Sequence, residues 1–223
     1  VVARPVQKSF SLGQLHPLTT DYLAQQVVLE ATVKMDGIMV YSVCHGAQVW
    51  LWTRYGYTEH ARAATKHACE ASKVDFIGFI SEVESHGYTA MFEWVGPQAR
   101  VKEVVKQTEL VLTQLRHKDT GLLMEYAARQ ELANAYKVPM VKRLPDLEGK
   151  AAGAAAVAVK RWSARVEGAV LRLRSGVLVK AKTKWWLGAP PLNRYGWQDD
   201  KQRQAAADRH VKKVLHMELL ECR

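Results

Sequence analysis

Val27-Val28-Leu29-Glu30-Ala31-Thr32-Val33-Lys34-Met35-Asp36-Gly37-Ile38-Met39-Val40-Tyr41-Ser42-Val43-Cys44 is the stretch that decides how this chain is read. Val27 to Lys34 is rich in Val and Leu and reads as a strand. Asp36-Gly37 is a turn signal, and Ile38 to Cys44 reads as the returning strand. Lys34 therefore stands at a strand end, from which it can project into a pocket. A protonated lysine is a poor nucleophile, but burial and neighbouring cations can lower a lysine's pKa until the free amine attacks. Lysine before a turn is common on any protein surface, so Lys34-Met35-Asp36-Gly37 alone is a weak signal.

Working outward, Gln48 to Thr53 reads as a strand joined to Ile38–Cys44 at His45-Gly46. Thr58 to Lys73 has the pattern of a helix with Thr58 as N-cap. Tyr88 to Val95 reads as a strand stopped by Gly96-Pro97, and Val101 to Leu115 as two further strands. Leu122 to Tyr136 has amphipathic helical spacing. Gly149 to Trp162 is an alanine-dominated helix. Ala169 to Leu173 and Val177 to Lys182 form a hairpin around Ser175-Gly176. Residues 1–20 look irregular, with Pro5 and Pro17 as breakers, and Asp199 to Leu220 reads as a charged helix. Strands interspersed irregularly with helices point to an α+β fold of mainly antiparallel sheets with flanking helices, rather than a doubly wound parallel sheet.

Composition sets the outer bounds. The chain has 223 residues, 48% hydrophobic and 24% charged, so it can bury a core and is neither wholly disordered nor collagenous nor coiled-coil. Lys+Arg 32 against Asp+Glu 22 gives +10, which suits a polyanionic partner. Cys44, Cys69 and Cys222 form neither a disulfide framework nor a CxxC pattern, which suits a reducing intracellular compartment, cytoplasmic or nuclear. No apolar run approaches the roughly 20 residues that span a bilayer, and no signal peptide is visible. The chain starts Val-Val-Ala-Arg without an initiator Met, as expected of a piece of a longer protein.

Two more constellations carry candidate chemistry. Glu167-Gly168-Ala169-Val170 is followed after one hairpin by Lys180-Ala181-Lys182. Strand alternation puts Lys180 and Lys182 on one face, where a phosphate between the ammoniums would relieve their repulsion. Taken singly, the pair reads more readily as a basic edge strand that blocks aggregation. Phe92-Glu93-Trp94-Val95 places a carboxylate inside an apolar strand, and alternation alone explains that, with Phe92 and Trp94 on the opposite face.

In combination and in this order, these elements resemble the covalent nucleotidyltransferase superfamily of ligases and capping enzymes. The finer resemblance is to the RNA ligase 1 family, typified by the T-even phage enzyme and including the ligase domain of fungal-type tRNA ligases. Arg4-Pro5-Val6-Gln7-Lys8-Ser9-Phe10-Ser11-Leu12-Gly13 resembles that family's RPxxKFFNxxE segment, with Ser9 for a Phe, Ser11 for Asn and no closing Glu. Leu115-Arg116 with Thr120-Gly121 resembles its LR…TG element. Lys180-Ala181-Lys182-Thr183-Lys184-Trp185-Trp186 resembles its KxKxxWY close, with Trp186 in place of Tyr. The resemblance spans roughly residues 3–186; only about 37 residues follow Trp186, where the family has a long helical domain for RNA specificity.

The resemblance implies a nucleotidyltransferase (ligase adenylation) fold over residues 1–190 and a C-terminal helical appendage over 191–223. It implies an ATP-dependent RNA ligase joining 5′-phosphate and 3′-hydroxyl RNA ends, tRNA among them, in RNA repair or tRNA splicing. Lys34 would take AMP from ATP at the floor of a pocket between sheets. Lys8, Asp36, Gly37, Arg54, Glu93, Glu167, Lys180 and Lys182 would bind the nucleotide, and Lys180 and Lys182 would act in catalysis. Glu93 and Glu167 would be ligands for Mg²⁺ or Mn²⁺, with Arg4 and Trp186 as further site residues. End-healing domains or other protein partners would accompany it. The basic residues of 160–184 (Lys160, Arg161, Arg165, Arg172, Arg174, Lys180, Lys182, Lys184) would track an RNA backbone, and some of Trp50, Trp52, Trp94, Trp162, Trp185, Trp186 and Trp197 would stack bases. The eight histidines show no ligand spacing. The alternatives are a DNA ligase or capping enzyme of the same superfamily, or a non-catalytic RNA-binding module.

Overall fold

The computed structural model describes residues 2–6, 9–12, 17–46, 48–97, 99, 102 and 107–188. In chain order the elements are β1 (Phe10–Ser11), α1 (Pro17–Gln25), β2 (Val28–Lys34), β3 (Ile38–His45), β4 (Gln48–Trp52), α2 (Glu59–Glu70) and α3 (Phe76–Ser85). There follow β5 (Tyr88–Val95), β6 (Glu109–His117), α4 (Tyr126–Ala135), α5 (Ala152–Lys160), β7 (Gly168–Leu173), β8 (Leu178–Lys182) and α6 (Lys184–Gly188). Two compact units divide them, one formed by Val1–Ser9, Gly37–Ala99 and Val105–Arg143, the other by Phe10–Asp36, Arg100–Val104 and Leu144–Arg223. Among the described residues no helix is long and apolar enough to cross a membrane, and Cys44 and Cys69 are free thiols.

The first unit holds the sheet β4-β3-β5-β6, antiparallel throughout. Its core is aromatic: Phe76 and Phe79 of α3 meet Phe92 of β5 edge-on, and Trp94, Leu110, Leu112 and Leu115 complete it. Thr58 caps α2 by accepting from Ala61 N, as its position predicts. Asp75 caps α3 through Gly78 N at 2.8 Å. Helix α3 is not among the elements expected from the sequence, although Phe76, Phe79, Ile80 and Val83 recur at helical spacing.

The second unit holds the sheet β1-β8-β7-β2, in which only the short β1–β8 pairing is parallel. Ala31, Ala169, Leu171, Val179 and Ala181 form its apolar face, packed with Ala152, Ala155 and Val159 of α5. Small alanines let helix and sheet approach closely. The opposite face of the strands carries Arg172, Lys180 and Lys182 together with Val170 and Leu178.

Several boundary expectations need correction. Pro17 starts a helix instead of breaking one, because its missing N–H is one of the donors a first turn leaves unused. Residues 101–115 do not form two strands; the described part holds one, Glu109–His117. Helix α4 begins at Tyr126, not Leu122, since the preceding residues pair back on β6. Leu122 O accepts from His117 N at 2.9 Å, and Leu123 bridges to Arg116. Asp199–Leu220 and the whole 191–223 appendage lie outside the described residues.

Candidate active site

The register of the second unit puts Lys34 of β2, Gly168 of β7 and Lys182 of β8 on one rung. Gly168 has φ +147°, and a Cβ there would stand 2.0 Å from Ala181 O. Only glycine lets the middle strand pass between the two lysine-bearing strands this closely. Glu167, one residue earlier, turns its carboxylate to both neighbours. Oε2 accepts from Lys34 Nζ at 2.8 Å, and Oε1 pairs with Lys182 Nζ at 3.1 Å. The Glu167 side chain is 5% exposed, those of Lys34 and Lys182 15% and 24%. Lys34 Nζ also donates to Met35 O at 3.3 Å.

Thr183 anchors the chain just beyond Lys182. Its N–H donates to Glu167 O at 3.1 Å, its hydroxyl donates to Val166 O at 2.7 Å and accepts from Trp186 N at 3.1 Å. The last contact opens α6 and turns the buried Trp186 ring to within 5.3 Å of Lys182 Nζ. Lys180 shares the face of Lys182, half-buried, opposite Ser11 of β1 and Val170 of β7. Asp36, at the turn after Lys34, is buried and accepts from the N–H of Lys102 at 2.7 Å. No motif marks Lys102; it is a site neighbour the sequence does not announce.

The other expected residues belong to the first unit. Gly37 packs against β5, where a Cβ would meet Trp94 O at 2.4 Å and the Glu93 side chain at 2.9 Å. Glu93 is half-buried beside the buried Phe92 and Trp94. Arg54 is exposed in a tight turn closed by Thr53 and Gly56, its guanidinium 4.7 Å above the Tyr55 ring. Arg4 donates to Lys118 O at 2.8 Å and Asp119 O at 2.5 Å. Arg116 donates to Gly121 O at 2.9 Å and Pro5 O at 2.7 Å. The Arg-Pro segment and the Leu-Arg…Thr-Gly element, separate in sequence, thus form one clasp that ties the N-terminal segment down. Lys8 lies outside the described residues.

One expectation about the surface fails. Arg172 is no part of a basic surface: its side chain is 7% exposed and faces Glu30 at 3.8 Å across β2–β7. Trp94 and Trp186 are buried, Trp52 is exposed, and Trp197 lies outside the described residues. Among the described residues no group of three or more His, Cys, Asp or Glu side chains gathers for a metal.

Comparison with known proteins bears on the family and the fold. Residues 1–187 match the model of the RNA ligase family. The chain belongs to that family. It is 26% identical over 149 residues to the "Putative RNA ligase" of Thermovibrio ammonificans, covering 66% of this chain and 38% of that one. Solved structures of variants of the Naegleria gruberi RNA ligase share its fold. A variant with ATP and Mn superposes with a TM-score of 0.60 at 20% identity, covering 79% of this chain and 55% of that one. A variant with AMP and Mn gives 0.61 at 20% identity, with 81% and 56% covered. The fold is therefore the α+β nucleotidyltransferase fold expected from the sequence. The chain spans little more than half the length of the solved relative and less of the bacterial one.

Proposed function

We propose that this chain is the adenylylating core of an ATP-dependent RNA ligase that joins RNA 5′-phosphate and 3′-hydroxyl ends, with residues 1–190 as the adenylation domain. The observation that carries this reading is the Lys34–Glu167–Lys182 cluster on one rung of a sheet, in a chain of the RNA ligase family. In the first step the Lys34 amine attacks the α-phosphorus of ATP. The N–P bond forms, the bridging P–O bond breaks, and pyrophosphate leaves with the electron pair. Lys34 must first give up a proton and its grip on Glu167, and Glu167 Oε2, at 2.8 Å, is in place to receive that proton. Charge builds on the phosphoryl oxygens, where Lys182 and Lys180 stand to neutralise it. In the second step a 5′-phosphate oxygen of RNA displaces Lys34 from AMP. In the third a 3′-hydroxyl displaces AMP.

Asp36, Gly37, Arg54, Glu93 and Lys8 complete the nucleotide-binding set in this reading. A Mg²⁺ or Mn²⁺ ion fits only in part. Both Glu167 oxygens already face an ammonium, so such an ion would be held chiefly by phosphate oxygens, with Glu167 and Glu93 as its proposed protein ligands. Bound there, it would supply further charge neutralisation. RNA ends, tRNA included, are the proposed substrates, with end-healing domains as proposed companions.

Incubation with α-labelled ATP and Mg²⁺ should leave covalent label on the protein. Lys34→Ala should abolish it while the protein stays folded. Label that persists in Lys34→Ala overturns the nucleophile, and label from GTP alone favours a capping enzyme. RNA binding by a chain that takes no label leaves a binding module.

A further inference from the structure

Lys102 comes to the second unit's charged face from far along the chain, 66 positions beyond Asp36. Its backbone N–H is bound to the buried Asp36 carboxylate at 2.7 Å, which fixes the start of the side chain beside the Lys34 turn. Its ammonium donates to Trp186 O at 2.5 Å and stands 4.9 Å from the centre of the Trp186 ring. Lys182 Nζ stands 5.3 Å from the same centre. One buried indole thus holds two ammoniums. Each gains from the ring's electron-rich face, yet they repel one another in a half-buried setting where Coulomb terms are stronger than in water. Burial, and then Lys182, press the Lys102 pKa below its ordinary value, while Glu167 and Asp36 pull the other way. Phosphate oxygens set against the pair would relieve the repulsion.

We propose that Lys102 is a further phosphate-binding residue, placed to take the pyrophosphate part of ATP as it leaves. This rests on the adenylylation reading. The contacts run in order from Lys34 through Glu167, Lys182 and Trp186 to Lys102. In an in-line displacement charge develops on the leaving pyrophosphate, and with the two ammoniums 4.9 and 5.3 Å from one ring centre, a phosphate chain that meets Lys182 comes within reach of Lys102. Lys102 gives no proton and forms no covalent bond; it neutralises charge on the leaving oxygens. Trp186 acts as a positioning residue whose ring gathers the two ammoniums.

The test is calorimetric titration of the full chain with inorganic pyrophosphate and, separately, with AMP, both in Mg²⁺. Lys102→Met keeps the aliphatic stem and the backbone bond to Asp36 but removes the charge. It should weaken pyrophosphate binding about tenfold or more and leave AMP binding unchanged. Lys102→Arg should restore most of the pyrophosphate affinity. Should Lys102→Met not fold, Lys102→Gln is read in the same way. Equal pyrophosphate affinity with and without the charge overturns the proposal, as does a wild-type chain that does not bind pyrophosphate, or an equal loss for AMP. The expected affinities in a chain that takes no label on Lys34 would strike the adenylylation reading and leave this phosphate site standing.

Discussion

The two units use their sheets in different ways. In the first, Phe76, Phe79 and Phe92 interlock edge-on against β5, and Ala90, Met91, Trp94 and Val95 of the same strand are buried with them. Its fully buried Arg129 donates to Gln114 Oε1 at 2.9 Å and Met124 O at 3.0 Å. Its close ion pair, Lys118 with Glu84, sits past the end of β6. In the second unit the apolar face is built largely of alanine, valine and leucine. The other face carries charge within the sheet itself, Glu30 against Arg172 and Glu167 against Lys34 and Lys182. Buried ion pairs contribute little net stability, because desolvation offsets most of the attraction. The first unit's rings therefore serve stability. Of the second unit's charges, Lys34, Glu167 and Lys182 are the ones to which the proposed function gives an action on phosphate.

The largest expected effect tests the aromatic side of that contrast. Phe79→Ala should cost about 3–5 kcal/mol of unfolding free energy, read by denaturant titration, with label per folded molecule unchanged. A variant that keeps its stability but loses labelling would break the division. Next, Glu167→Gln leaves the Lys34 and Lys182 ammoniums facing a neutral amide. It should cost about 3 kcal/mol, the low end for removing one partner of a buried pair, and should also abolish Lys34 labelling. Unchanged stability would mean that the ion pairs do not hold the charged face together.

The smallest effect concerns His67 of α2, whose ring lies 5.3 Å from the Trp94 ring and 6.1 Å from the Phe76 ring. Burial lowers its pKa from 6.5, against a weaker upward pull from Glu70. On acidification the unfolded chain takes up this proton first, so stability is lost as pH falls below about 6.5. His67→Phe should flatten the fall in melting temperature between neutral and mildly acidic pH. An identical slope in both proteins would remove His67 from the aromatic core's weak points.

Much of the fold is legible in the chain. The strands on either side of Asp36-Gly37, the hairpin that ends in Lys182 and the Thr58 cap are local events, set by β-branched runs, turn residues and a hydroxyl before a helix. The motif residues Lys34, Glu167 and Lys182 are legible as types in order. Their meeting is not, because it depends on the β2–β7–β8 register and on a backbone at Gly168 that admits no side chain. Arg172 shows the same limit from the other side. By composition it joins a basic run, yet strand alternation and pairing with β2 turn it onto Glu30.

What the amino-acid order determined alone was therefore the elements and the chemical kinds available to them, since propensity, capping and alternation act over a few residues. Tertiary structure decided the partners. It gave Lys34 and Lys182 one shared carboxylate, joined Arg4 and Arg116 in a clasp, and brought in Lys102, which no motif marks. Such contacts join residues far apart in the chain, and only the packing of strands and the backbone bonds between distant segments fix them.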